Sequence, residues 1–147
     1  MKLFIIILSI SSLLVTKSVK AGDEKINPVI TNAFQRSFSD VKEVKWSEAN
    51  GFYKAEFMYN NQYMTSYFNG DGELVANTQQ ISSESLPTRL QASLKKYMDR
   101  YWITDLFKVT TEEGTVYYVS LKSGDEVIML QSVADKKWTS FKKTVKL

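Results

Sequence analysis

Residues 28 to 46 of this chain are echoed at one fixed offset by residues 87 to 105, and this internal repeat constrains the fold more than any single motif. Pro28 is matched by Pro87, Ala33 by Ala92, Phe38 by Tyr97, Asp40 by Asp99 and Val44 by Ile103. The offset then lengthens slightly, and Gly51, Tyr53, Ala55 and Phe57 find counterparts in Gly114, Tyr117, Val119 and Leu121. A chain built this way is expected to write one supersecondary unit twice, with boundaries at about 26–82 and 83–146.

Each copy opens on a helix signal. Asn27-Pro28 offers a side chain that can cap free amides, then a proline in the first turn, where its missing donor costs nothing. Ile30, Ala33, Phe34, Phe38 and Val41 follow at helical spacing and predict one buried face. The second helix is expected to begin near Ser85 and Pro87, with Leu86, Leu90, Leu94, Tyr97 and Tyr101 as its stripe. Four strands are expected after the first helix: 44–46, 52–59, 62–68 and 74–80. Asn-Gly, Asn-Asn and Asn-Gly-Asp-Gly turns, which tolerate positive φ, separate them. Four more are expected after the second, over 103–110, 116–122, 126–133 and 138–142. The fold class is α+β, an αββββ unit in tandem.

Parity sharpens this plan. A two-residue Asn60-Asn61 turn sets Phe57 opposite Met64 and Ala55 opposite Ser66. Tyr53, Ala55, Phe57, Met64 and Phe68 then share the face expected to meet a helix, as do Tyr117, Val119, Leu121, Ile128 and Leu130 in the second copy. The opposite face carries charge mixed with aromatic rings and methionine, which are adaptable contact residues. Phe52, Met58, Tyr63, Tyr67, Tyr118 and Met129 are therefore the candidate partner-binding residues.

The first 21 residues read as a secretory signal peptide: a lysine, an apolar run from Leu3 to Val15, and small residues at Val19 and Ala21. Export to the periplasm or the extracellular space is expected, with the mature domain over 22–147 and no membrane insertion after cleavage. Removing Lys2, Lys17 and Lys20 from the 19 basic residues leaves 16 against 16 acidic ones, so the basic pI belongs to the leader and a nucleic-acid partner loses its support. A lysine-rich C-terminus, with Lys136, Lys137, Lys142, Lys143 and Lys146 against Asp135, reads as a guarded edge strand.

With no histidine and no cysteine, the chain lacks the imidazole base, the thiolate nucleophile and the usual zinc, haem and iron–sulfur ligands. No catalytic, cofactor-binding or metal site is expected. Asn69-Gly70-Asp71-Gly72-Glu73 places oxygens at alternate positions as a calcium loop would, but Leu74 and Gln80 stand where that loop needs glycine and glutamate, so a hairpin turn is expected. Glu112-Glu113 and Asp125-Glu126 are expected to be solvated turn residues.

Phe34 and Phe38 on the first helix, Val44-Lys45-Trp46, Phe52 to Phe57, Tyr63 to Phe68, Asp71-Gly72-Glu73-Leu74 and Leu86-Pro87 occur in an order that resembles the beta-lactamase-inhibitor-like, PepSY-like proteins exported by Bacteroidetes-type bacteria. The resemblance covers about 26–142. It implies a curved antiparallel sheet of about eight strands with two main helices on one face, and an envelope binding or inhibitory role. The function expected is a non-enzymatic exported module that binds an envelope protein, peptide or other ligand through its open sheet face. The alternative is inhibition of an envelope protease or beta-lactamase, for which only the segment from Gln79 to Leu86 is long enough to be presented as a loop.

Overall fold

The computed structural model describes residues 26–145. The expected signal peptide and Lys146 lie outside them. Among the described residues two α-helices and eight strands occur in the expected order: α1 (Pro28–Ser37), β1 (Val44–Ala49), β2 (Phe52–Tyr59), β3 (Gln62–Phe68), β4 (Leu74–Gln80), α2 (Thr88–Leu94), β5 (Trp102–Thr111), β6 (Gly114–Lys122), β7 (Glu126–Val133) and β8 (Thr139–Val145). The strands form one antiparallel sheet in chain order. The chain divides into two compact units between Asn77 and Thr78, inside β4.

In the first unit, Asn27 caps α1 by accepting a hydrogen bond from the Val29 amide at 2.9 Å, and Pro28 occupies the first turn. The helix buries Ile30, Ala33 and Phe34. Phe34 is the hub of this core. Its ring meets Trp46 and Phe57 edge-on at 5.4 and 4.9 Å, Phe38 at 5.2 Å and Phe68 at 6.2 Å, within the range where aromatic pairs attract beyond simple burial. Asn60 and Asn61 both take positive φ, 49° and 60°, and the pairing is as parity required: Ala55 with Ser66, Phe57 with Met64. Ser66, buried on this face, donates to Asn77 Oδ1 at 2.5 Å, which satisfies a hydroxyl that burial would otherwise penalise.

Gly72 belongs to the same core although its sequence context suggests only a turn. It sits at φ +83°, and a Cβ there would stand 3.0 Å from Val29 Cγ1 and 3.2 Å from the Val29 carbonyl oxygen. The β3–β4 turn therefore lies directly on α1. Asn69 holds that turn by accepting from the amides of Asp71 and Glu73 at 3.0 and 2.9 Å, so the oxygen at the calcium-like position serves the backbone.

The second unit repeats the plan with aliphatic bulk. Leu86, Leu90 and Leu94 pack with Leu106, Tyr117, Val119, Leu121, Leu130 and Trp138. Its helix is shorter than the stripe suggested. Leu86 lies ahead of it in the extended conformation that a following proline favours, and after Leu94 the chain tightens into a 3₁₀ turn over Lys95–Tyr97. Tyr97 and Tyr101 still pack on the core, from outside the helix. Trp138, expected to open β8, instead precedes it, and its indole donates to the Leu90 carbonyl at 3.1 Å.

Gly72→Ala is expected to lower stability by roughly 1–3 kcal/mol, because the substitution adds both strain at positive φ and a close contact with α1. Gly51, also at positive φ but with nothing near its Cβ position, supplies the control. Urea denaturation of both alanine variants checks this, and equal losses would contradict the close contact.

Candidate functional site

The candidate residues separate once their surroundings are seen. Met58 and Tyr63 pair directly across β2 and β3 on the helix-free face of the first unit, and are 49% and 64% exposed. With Glu56, Phe57 and the segment from Asp40 to Lys45 they line an open groove of about 950 Å³. Charges around it alternate in sign: Asp40, Lys42, Glu43 and Lys45 from that segment, and Glu56, held by Lys54 at 2.8 Å. The connector from Asp40 to Glu43 is the part that sequence reasoning missed, because a connector between a helix and a strand carries no periodic signal. Phe52 is half-buried at the start of β2.

Tyr67 and Tyr118 differ from expectation. Both lie on the predicted face, yet they are only 5% and 1% exposed. Tyr118 is covered by its own neighbours: Phe107, its cross-strand partner, stacks at 5.4 Å, and Phe141 meets it edge-on at 5.3 Å. Alternation tells which face a side chain takes; it does not tell whether large rings beside it will lie down over it. The Tyr118 hydroxyl finds no partner among the described residues, and burial pushes its ionisation up to about 12. Met129, on the same face of the second unit, is half-buried.

Glu126 is a second departure, since its turn context predicted a solvated side chain. It is 5% exposed, with Lys143 at 2.5 Å, Arg100 at 3.3 Å and the Tyr101 hydroxyl donating to Oε1. Parity carried the missing signal: Glu126 alternates with Ile128 and Leu130, so it must point toward the core side. The Lys143 and Tyr101 hydrogen bonds hold its carboxyl below the usual carboxylate range, with desolvation opposing them. The same bond to Glu126 raises the Tyr101 phenol. This carboxylate is saturated by partners and has the chemistry of a clasp between β7, β8 and the segment before β5. Glu112 and Glu113 are exposed, as their turn context predicted.

No family model and no curated protein matches the sequence. Solved structures do. A DUF2874 family protein from Bacteroides ovatus superposes with a TM-score of 0.73 at 17% identity, covering 84% of this chain and 89% of its own. A BLIP-like protein from Bacteroides fragilis gives 0.67 at 14% identity, over 81% and 85%. A candidate periplasmic protein from Bacteroides eggerthii gives 0.72 at 12%, over 81% and 88%. The fold is BLIP-like. At these identities the likeness concerns the fold alone. Among the described residues no helix is long and apolar enough to cross a membrane.

Two outcomes check this site. Tyr118→Phe is expected to leave stability unchanged or raise it by up to about 1 kcal/mol, since it removes a buried hydroxyl without a partner, whereas Tyr118→Ala should cost roughly 3–5 kcal/mol. A large loss in Tyr118→Phe would mean the hydroxyl is bonded. Because the folded carboxyl of Glu126 titrates below its unfolded value, its contribution is complete above the ordinary carboxylate range near pH 4.3 and fades as pH falls through the lower folded value. The stability gap between wild type and Glu126→Gln should therefore narrow from pH 7 to pH 2.5 in urea denaturation. A gap that does not change with pH would contradict the clasp.

Proposed function

We propose that this chain is a non-enzymatic exported binding module of the periplasm or cell surface, which engages an envelope protein or peptide through the Met58–Tyr63 groove. One observation carries the reading: a methionine and a tyrosine stand side by side, exposed, in a groove whose lining bears both signs of charge. Apolar and aromatic contact surface at the centre with a polar rim is the pattern of protein recognition sites. The BLIP-like fold, a candidate periplasmic neighbour and the leader-like first 21 residues support the setting. The order of motifs also supports placing the chain among the PepSY-like exported proteins.

Inhibition of an envelope hydrolase is the second reading, and one feature favours it. The segment following β4 presents exposed Ser82, Ser83, Glu84 and Ser85, and Gln91 clamps it by donating to the Glu84 and Leu86 carbonyls at 3.0 and 2.7 Å. A loop held this firmly has the rigidity that inhibition requires.

Mature protein and a Met58→Ala/Tyr63→Ala double variant, used as baits in envelope extract, distinguish the first reading. Both side chains are exposed, so the variant should keep its stability within about 0.5 kcal/mol. A partner retained by wild type and lost by the variant supports the groove, and equal recovery of every partner overturns it. Inhibition of one of a set of envelope proteases and beta-lactamases by wild type that Gln91→Ala weakens would favour the loop instead.

A further inference from the structure

We infer that β1 is a docking edge, which takes an extended peptide as an added strand and leads it into the Met58–Tyr63 groove; the inference rests on the binding role of that groove. The two terminal strands of the sheet are differently treated. β8 is defended in the two ways edge strands commonly are: a bulge displaces Phe141 from the β7 register, and exposed lysines line the strand. β1 has no bulge and a single lysine: its six residues pair with β2 without a register shift, and the lysine is Lys45.

The hairpin fixes which backbone groups β1 offers. Asn50 and Gly51, at φ 53° and 77°, form a two-residue turn closed by Ala49 and Phe52. Such a turn closes on a hydrogen-bonded pair, and these pairs alternate, so Ala49, Ser47 and Lys45 bond to β2. The N–H and C=O groups of Val44, Trp46 and Glu48 point away from the sheet. Trp46 holds this edge rigid, with its ring at 5.4 Å from Phe34 and 6.3 Å from Phe68. A preformed edge loses less entropy on pairing than a fraying one.

Two features name the occupant. Lys45 and Glu48 are exposed and have no ion pair among the described residues, so a complementary strand carries an acid beside Lys45 and a base beside Glu48. Val44 begins β1 and lines the groove with Lys45, so a segment that runs past the start of β1 passes from the edge into the groove, where its next residue should be large and apolar. The partner is an extended segment whose side chains, followed along β1 from Val44 to Glu48, are apolar, acidic and basic, an order that is reversed in its sequence when it pairs antiparallel. It is read by main-chain bonds along β1 and by one side chain in the groove.

A random linear dodecapeptide library selected on the mature protein tests this. Enriched peptides should follow that order and shift the Val44, Trp46 and Glu48 amide resonances. N-methylating one alternate set of their backbone nitrogens should weaken binding roughly tenfold or more, while methylating the other set should not. Glu48→Pro removes one outward donor and leaves the β2 ladder whole, so it should cause a similar loss with an unchanged circular dichroism spectrum. No enrichment, or binding indifferent to both methylation frames, overturns the edge. Peptides that ignore methylation but are lost with Tyr63→Ala would leave the groove standing and remove the strand pairing, whereas equal envelope recovery by the Met58/Tyr63 variant removes the groove itself.

Discussion

The structure depends most on the register of β2 against β3, set by two asparagines that both accept positive φ. A slip of one residue would turn over every side chain on these strands. Phe57 would leave Phe34, and Met58 would enter the core. With the register as it is, Ala55, Phe57, Met64 and Phe68 meet α1, while Met58 and Tyr63 stand together in solvent. Core and candidate site are thus two consequences of one turn.

The two units reach the same plan by different chemistry. The first gathers rings around Phe34, each constrained in angle as well as distance. The second packs leucines against a sheet of valine, leucine and tyrosine, and adds polar fastenings: the Trp138 indole on the Leu90 carbonyl and Glu126 among Lys143, Arg100 and Tyr101. Both fastenings act at β8 or at its start. Glu126 is buried while Lys143 and Arg100 stay largely exposed, and removing these partners would leave a buried charge, so the cluster acts more to fix the position of β8 than to strengthen the core.

Much of this was legible in the chain. Asn-Gly and Asn-Asn turns located the hairpins, period-two alternation sorted the faces, and Pro28 and Pro87 marked the approach to each helix. What escaped depends on contacts across strands or between elements. Tyr118 alternates as an outward residue, and only Phe107 and Phe141 beside it bury it. Glu126 follows a turn, but its strand parity outweighs that context. Gly72 reads as a turn glycine, whereas the carbonyl of Val29 leaves no room for a side chain. The end of α2 at Leu94 was hidden because an apolar stripe continues through a 3₁₀ turn with nearly the same spacing. At the site, Met58 and Tyr63 were visible and the connector from Asp40 to Glu43 was not.

Tyrosines that share one predicted face differ in role: Tyr63 is available to a partner and Tyr118 belongs to the packing of the sheet. Stepwise nitration of the folded mature protein, with the modified residues located by mass spectrometry, tests this directly. Tyr63 should be modified first, and Tyr118 only after unfolding. Nitration of Tyr118 in the folded protein ahead of Tyr63 would contradict the account.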